Sequence, residues 1–178
     1  MSCDRKGMIN LADAFATVAM RFPNLHLVLI GCIDDIAKSE ILQNITEKGV
    51  LSRIIFTGMI PASEVPRFIG NAKILALIRP ANKQAEGGFP TKLGEYLATA
   101  VPTVVTRVGE IDDFLTDREN VYFAVPDSTE SVSSCFFEIF DNYEDAVKIG
   151  SNGRNAAYKY FNYSSAGASL SRFINGGM

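Results

Sequence analysis

The chain has 178 residues, of which 47% are hydrophobic and 21% charged, a composition typical of one globular domain long enough to bury a full core. Its formal net charge of -3 argues against a broad nucleic-acid-binding surface, because such surfaces are normally basic. No stretch approaches the roughly 18 consecutive apolar residues that a membrane-spanning helix needs.

The first half of the chain alternates between helical and extended patterns. The spacing of apolar residues predicts, in order, a helix over Met8–Met20, a strand over Leu25–Ile30, a helix over Asp34–Lys48, a strand over Arg53–Gly58, a helix over Ser63–Asn71 and a strand over Ile74–Ile78. Asp34 and Ser63 are the candidate N-terminal caps of their helices. The strand over Leu25–Ile30 is nearly continuous in apolar residues, which is typical of a parallel strand covered on both faces.

After Ile78 a polar loop containing two glycines leads into a helix. Pro90 suits the first position of that helix, because its ring fixes φ near the helical value and its missing N–H would be unpaired there. Gly87 and Gly88 allow the backbone to approach a ligand closely. The free N–H groups of a helix N-terminus after such a loop favour phosphate binding.

The helix that begins at Pro90 has two different faces. Its apolar side is formed by Leu93, Leu97 and Ala100, whereas the other side carries Lys92, Glu95 and Thr99. A nucleoside diphosphate could use both charged groups, with the ammonium near phosphate and the carboxylate accepting from ribose hydroxyls. The alternative is an ordinary surface pair of a lysine and a glutamate.

The second half of the chain continues the alternation. It predicts a strand over Pro102–Thr106, a brief helix over Ile111–Leu115, a strand over Asn120–Val125, and helices over Thr129–Phe140, Tyr143–Phe161 and Gly167–Ile174. The whole pattern predicts an α/β fold, a Rossmann-like doubly wound parallel sheet with helices on both faces. Ligands of such sheets bind beyond the carboxyl ends of the strands.

Few residues offer metal or redox chemistry. Cys3, Cys32 and Cys135 are odd in number and widely spaced, so they form neither a disulfide framework nor a zinc motif and predict a reducing cytoplasm. His26 is the one histidine, and we interpret it as structural. The N-terminus lacks an apolar signal core and runs straight into a helix, which we interpret as the start of a fragment.

The run Gly88–Ala98, followed by Thr99–Thr106, resembles the donor-site signature of GT-B-fold glycosyltransferases, in particular the retaining group 1, family 4 type. The C-terminal domain of that family carries two glutamates separated by seven residues. Glu95 matches the second glutamate, which the resemblance implies binds the nucleotide ribose. Gly87 stands at the position of the first, and Glu86 precedes it by one residue. Either Glu86 substitutes through a loop bulge, or this subgroup recognises its sugar differently.

The resemblance implies that the loop and the helix start bind the sugar and the diphosphate. The residues concerned are Glu86, Gly87, Gly88, Phe89, Pro90, Thr91 and Lys92. Lys6 matches a lysine that meets the diphosphate, although the strand that precedes it in the family has no match; the alternative is a solvated tail. Met59 and Ile60 resemble the apolar wall beside the nucleotide base, with an ordinary turn as the alternative.

By the same resemblance, residues 1–178 form a single donor-binding domain, the C-terminal half of a GT-B fold, without its N-terminal acceptor domain. The implied parent enzyme transfers a glycosyl unit from a UDP- or GDP-sugar to an acceptor, with retention and without a cofactor or obligatory metal. Its expected partners are that donor and the missing domain, with no nucleic acid. Peripheral membrane association would occur through the missing domain.

Two alternatives to a glycosyltransferase remain open on the sequence. One is a GT-B-type sugar epimerase or phosphorylase domain, whose nucleotide or phosphate site would be similar. The other is a non-catalytic Rossmann-like binding domain, which the glycine at the first glutamate position favours. If the chain is a glycosyltransferase domain, we expect the isolated fragment to be inactive, because the domain that forms the other wall of the cleft is absent.

Overall fold

The computed structural model of the chain describes residues 5–45 and 49–176, arranged as an α/β fold. Its helices are α1 (Arg5–Ala19), α2 (Asp35–Ile45), α3 (Val65–Gly70), α4 (Lys83–Glu86), α5 (Thr91–Ala98), α6 (Thr129–Asp141), α7 (Tyr143–Tyr160) and α8 (Tyr163–Ile174). Its strands are β1 (Leu27–Ile30), β2 (Ile54–Gly58), β3 (Leu75–Leu77), β4 (Thr103–Thr106) and β5 (Tyr122–Ala124). The alternation of strands and helices that the sequence predicts is confirmed.

Hydrogen bonds join these strands into two parallel sheets. β1 pairs with β2, with Leu29 opposite Phe56, and β3, β4 and β5 form the second sheet in that order. One apolar core nevertheless spans both sheets, because Leu29 of β1 and Val104 of β4 belong to the same buried cluster as Phe15 of α1. The Rossmann-like class is confirmed, and parallel pairing places the carboxyl ends of β3, β4 and β5 at one edge.

A second buried cluster holds α5 in place beside these carboxyl ends. Leu93 and Leu97 of α5 are fully buried with Val105 of β4 and Ala156 and Ala157 of α7. The predicted apolar side is therefore confirmed for Leu93 and Leu97, whereas Ala100 lies beyond the end of α5 and is half-buried. Because that side faces the core, the opposite side of the helix remains open to solvent.

Several local predictions change in detail. α1 begins at Arg5, earlier than Met8, and α8 begins at Tyr163, earlier than Gly167. The N-cap of α3 is Glu64, not Ser63, and Pro66 stands in the first turn of that helix, where its missing N–H costs nothing. The predicted helix over Ile111–Leu115 is a single 3-10 turn.

Two other helices have side-chain caps, and the one predicted at Asp34 is confirmed. The Oδ1 atom of Asp34 accepts a 2.8 Å hydrogen bond from Ala37 N, and the Oγ atom of Ser128 accepts one of 3.1 Å from Ser131 N. The thiols of Cys32 and Cys135 are both unpaired, the first exposed and the second buried. Cys3 and the predicted helix end at residues 46–48 lie outside the described residues.

Candidate functional site

The site predicted from the sequence begins where the chain leaves β3. The main-chain N–H of Arg79 donates a 2.8 Å hydrogen bond to Oγ1 of Thr106, the last residue of β4. Thr106 is fully buried, so this bond has little competition from water. The loop after β3 therefore starts from a point fixed on the neighbouring strand.

The loop contains a short helix that the sequence analysis did not predict. Asn82 caps α4 by accepting a 2.8 Å hydrogen bond from Ala85 N through its Oδ1 atom. The helix ends at Gly87, whose N–H donates to Lys83 O over 3.0 Å. Glu86 is the last residue of α4 and its side chain is exposed. An Asn three residues before a buried alanine is a capping signal that could have revealed this turn.

Arg79 also contacts the loop with its side chain, a role that sequence reasoning missed. Its Nη1 atom donates to the carbonyl oxygen of Gly88 over 2.9 Å. Its Nη2 atom donates to the carbonyl oxygen of Gln84 over 3.2 Å. The guanidinium thus joins α4, at Gln84, to Gly88 in the loop before α5.

The N-terminus of α5 is open to a ligand. Pro90 is the N-cap, with φ of -77° and ψ of 101°, and not the first helical residue as predicted, because its ψ is extended. No side chain caps the helix, and Leu93 N donates to Pro90 O over 2.9 Å. The N–H groups of Thr91 and Lys92 thus have no partner within the helix, which makes this end a favourable place for an anion.

Lys92 and Glu95 lie exposed on the open side of α5, as the sequence predicts. Within the described residues no ion pair joins these two side chains, and their role in ligand binding stays a prediction. Burial, and to a smaller extent the neighbouring Glu95 carboxylate, raises the pKa of Tyr96. Because Lys92 and Glu95 are exposed, both charged groups are available to a ligand at the helix start.

The side chain of Phe89 is engaged in packing. Its ring centroid lies 4.9 Å from that of Phe161 and 5.9 Å from that of Phe114. Such tilted and edge-on contacts are favourable arrangements of aromatic rings. The ring anchors the loop next to α7, and the backbone of Phe89 is left to contact a ligand.

The loop after β4 approaches α4 closely at Gly109. The φ of Gly109 is 64°, in the left-handed region that a residue with a Cβ rarely adopts. A Cβ atom there would lie 3.1 Å from the carbonyl oxygens of both Ala85 and Glu86. The end of α4 therefore rests on the loop that follows the neighbouring strand.

Lys6 is brought to the same edge of the sheet. It lies in the first turn of α1, not in an open tail, and its Nζ atom is 2.9 Å from Oδ1 of Asp127. Oδ2 of Asp127 accepts a 3.3 Å hydrogen bond from Ala81 N, in the loop after β3. Gly7 allows α1 to contact the backbone of Ile78, where a Cβ would collide with the carbonyl group. One carboxylate thus connects α1 with the loop that leads to α4.

Met59 and Ile60 follow β2, in the sheet that does not contain β3. Met59 is 78% exposed and Ile60 half-buried, so neither is committed to the core. Gly31 N donates to Gly58 O over 3.0 Å, which ties the ends of β1 and β2 together. The structure therefore presents these two apolar side chains at the carboxyl end of the other sheet.

The described residues contain neither a metal-binding cluster nor a membrane-spanning helix. Within residues 5–45 and 49–176, no group of three or more His, Cys, Asp or Glu side chains is arranged to hold a metal ion. In the same part of the chain, none of the helices has the length and hydropathy required to cross a bilayer.

Comparison with known families gives a match over most of the chain. The family described as Glycosyl transferases group 1 matches residues 4–156. A curated relative from Mycolicibacterium smegmatis, a GDP-mannose-dependent alpha-(1-6)-phosphatidylinositol monomannoside mannosyltransferase, is 25% identical over 177 residues. That alignment covers 97% of this chain and 45% of the relative, so the chain spans about half the length of the relative.

Solved structures share the fold. The C-terminal domain of a glycosyl transferase group 1 protein, LpcC from Francisella tularensis, superposes with a TM-score of 0.79 at 21% identity. That match covers 91% of this chain and 83% of the domain. Anabaena HepE in complex with UDP-glucose gives a TM-score of 0.83 at 18% identity, over 98% of this chain and 46% of HepE.

Proposed function

Because the chain belongs to the group 1 family of glycosyl transferases, we propose that it is the donor-binding domain of an enzyme that transfers a glycosyl unit from a nucleoside diphosphate sugar to an acceptor. The proposal includes retention of configuration at the sugar and independence from a metal ion. Its basis is the family together with the geometry of the loop and α5.

The observation that carries the proposal is the uncapped N-terminus of α5 beside two exposed charged side chains. Backbone N–H groups of Thr91 and Lys92 and the Lys92 ammonium offer positive charge at one end of this surface. Glu95, one turn further along, offers acceptors for paired hydroxyl groups. A nucleoside diphosphate carries its charge and its ribose hydroxyls in that order, so the ligand matches the surface.

Each predicted site residue then has a role. Lys6 and Lys92 stabilise the negative charge that develops on the departing diphosphate, and Glu95 holds the ribose. Preorganised donors aimed at developing charge are the main catalytic resource of such a site. The backbone of Glu86, Gly87, Gly88 and Phe89, with Pro90 and Thr91, borders the sugar and phosphates. Met59 and Ile60 form the apolar wall for the base.

The relatives suggest the finer features of the enzyme. GDP-mannose is named for the mycobacterial relative, and UDP-glucose is bound to HepE, which supports a UDP- or GDP-hexose as donor. A second domain supplies the acceptor side of the cleft, and it makes any peripheral contact with a membrane. The cysteines that the structure describes, Cys32 and Cys135, are unpaired thiols, which supports a cytoplasmic location.

The test is a titration of the chain with UDP and GDP, followed by backbone amide shifts and calorimetry. We expect millimolar or tighter binding and shifts that cluster at residues 86–95. Replacing Glu95 by Ala should weaken binding about tenfold, because hydrogen bonds to a charged group are strong. Glu144→Ala, which removes an exposed carboxylate from the first turn of α7, is the matched control and should bind as the wild type does.

Two results would contradict the proposal. If neither UDP nor GDP shifts any amide of residues 86–95, the site does not bind the donor and a non-catalytic domain is favoured. If Glu95→Ala and Glu144→Ala bind UDP equally, the ribose role of Glu95 is wrong. An epimerase would instead be revealed by conversion of the donor sugar without an acceptor in the full-length enzyme.

A further inference from the structure

We propose that Arg79 is a positioning residue of the donor site: its guanidinium fixes the loop before α5 so that the Phe89 N–H is directed at the ligand diphosphate. This inference rests on the proposed function, since it names how that function's loop is held. Arg79 itself does not contact the ligand in this proposal.

Arg79 is anchored to the neighbouring strand β4. Its main chain is bound to the buried hydroxyl of Thr106, and the residue itself is half-buried. The neighbouring Pro80 is buried and has a fixed φ. The guanidinium therefore extends from a rigid point on the sheet, not from a mobile loop.

The guanidinium of Arg79 holds two backbone carbonyl groups of the loop. It donates to the carbonyl oxygens of Gln84 and Gly88, at 3.2 Å and 2.9 Å. Between these carbonyls the chain passes through Gly87 and Gly88, and a glycine loses more conformational freedom on ordering than any other residue. Two donors on one rigid planar group suit this task better than a single ammonium would. The loop is thus ordered before a ligand arrives, which lowers the cost of binding.

The contacts of Arg79 also fix the direction of the loop amides. All peptide bonds of the described chain are trans, so the C=O and N–H of each peptide unit point in opposite directions. When the Gly88 carbonyl points at Arg79, the Phe89 N–H of the same unit points away from it. Within the described residues this N–H has no acceptor. The Ala85 N–H, in the unit held through Gln84, already donates to Asn82.

The ligand group that fits this donor is an anionic oxygen. The Phe89 N–H immediately precedes the N-terminus of α5, whose first N–H groups and positive dipole end also favour negative charge. Three backbone donors are available there, the N–H groups of Phe89, Thr91 and Lys92, with Pro90 between them lacking one. The distal phosphate of a nucleoside diphosphate is the part of the donor that such a group would hold.

The experiment compares two arginines that both bind carbonyl oxygens. Arg79→Ala removes the proposed positioning residue, and Arg79→Lys retains the charge with a single donor group. Arg53→Ala is the matched control: Arg53 binds the carbonyls of Ala19, Phe22 and Pro23, at the end of α1 and in the connection to β1. Each variant of the 178-residue chain is titrated with UDP and with UMP, and its unfolding temperature is measured.

We expect Arg79→Ala to weaken UDP binding about tenfold and UMP binding by less than about twofold, because only UDP has the distal phosphate. Arg79→Lys should restore part of the UDP affinity. In the ligand-free chain, amide hydrogen exchange at residues 87–89 should be faster in Arg79→Ala. Arg53→Ala should lower the unfolding temperature but leave the ratio of UMP to UDP dissociation constants unchanged.

The outcomes separate the inference from the proposed function. The role of Arg79 is overturned if Arg79→Ala weakens UDP binding and UMP binding equally, or if the variant binds UDP as tightly as the wild type does. In either case the proposed donor site still stands. If the wild type binds neither UDP nor GDP, the proposed function fails and the role of Arg79 falls with it. A change in the UMP to UDP ratio in Arg53→Ala as large as that in Arg79→Ala also overturns the inference, since any loss of stability would then produce it.

Discussion

Lys6 and Asp127 lie far apart in the sequence, yet their side chains form an ion pair with Nζ and Oδ1 2.9 Å apart. Lys6 belongs to the first turn of α1, and Asp127 follows β5 with a φ of 60°, which is unusual for a residue other than glycine. The pair joins the helix at one end of the sequence to the carboxyl ends of β3 and β5. A cation assigned to the diphosphate therefore already has an anionic partner.

Neutralising Asp127 should strengthen diphosphate binding. Asp127→Asn keeps a carbonyl oxygen that can accept from Ala81 N, and Asn tolerates a positive φ. It removes a negative charge beside Lys6, so we expect UDP affinity to rise about threefold at low salt and the gain to shrink at high salt. Calorimetric titration at two ionic strengths measures this change.

The control for Asp127 is Asp141, which pairs with Arg21, just after the C-terminal end of α1, through a 2.7 Å contact. Asp141→Asn makes the same change of charge and should leave UDP affinity unchanged. If Asp127→Asn weakens UDP binding, the carboxylate positions Lys6 and does not compete with the ligand.

A side chain at Gly109 should destabilise the chain and disturb the loop that carries α4. Gly109→Ala adds a Cβ 3.1 Å from two carbonyl oxygens in a backbone conformation with φ of 64°. We expect a loss of about 2 kcal/mol in the free energy of unfolding, measured by urea denaturation.

Gly49→Ala separates the two causes of that loss. Gly49 has a nearly equal φ of 67°, but no atom of the described residues lies within 4 Å of the position of its added Cβ. It should lose only about 1 kcal/mol, the cost of the left-handed conformation alone. Equal losses in the two variants would show that the contact between Gly109 and α4 has no energetic effect.

The chain by itself should bind a nucleotide without transferring a sugar. The proposed site offers hydrogen-bond donors to a diphosphate and a carboxylate acceptor to the ribose hydroxyls, and the proposed acceptor side of the cleft belongs to a second domain. Incubation with UDP-glucose or GDP-mannose and a simple acceptor, followed by chromatography, should give no glycosylated product. Product formation by the purified chain would contradict the assignment of the acceptor side to another domain.

The local features of the fold and the site could be predicted from the sequence, because they depend on spacing along the chain. Leu93 and Leu97 recur at helical spacing, so their burial and the exposure of Lys92 and Glu95 on α5 could be predicted. The strands were predicted from short apolar runs. Their division into two hydrogen-bonded sheets could not be, because pairing depends on contacts between distant segments.

The features that sequence reasoning missed depend on short elements or distant partners. α4 has four residues, too few to show a helical period, and its only signal is the cap at Asn82. The contacts of Arg79 with Gly88 and of Lys6 with Asp127 arise only when the chain folds, because no spacing rule relates a side chain to a loop or strand end elsewhere. The predicted helix starts at Pro90, whereas α5 starts one residue later, at Thr91, a difference within the usual uncertainty of helix ends.

Stability at alkaline pH should depend on Tyr122 of β5. Burial and, to a smaller extent, the nearby Glu138 carboxylate raise the pKa of Tyr122 to about 12, above the ordinary value for a tyrosine. The folded chain therefore keeps the phenol proton at a pH where the unfolded chain loses it, and stability falls as pH rises from 10 towards 12. Below pH 10 the phenol is neutral in both states and this loss is absent.

Tyr122→Phe should reduce this loss, because a phenyl ring has no proton to release in either state. We expect the free energy of unfolding of the variant, measured by urea denaturation from pH 9 to pH 12, to fall less steeply than that of the wild type. Tyr158→Phe is the control, since Tyr158 is 63% exposed on α7 and its replacement should leave the wild-type slope unchanged. Parallel slopes for the wild type and Tyr122→Phe would mean that the alkaline loss arises elsewhere, because the proton of a buried phenol would then make no difference to folding.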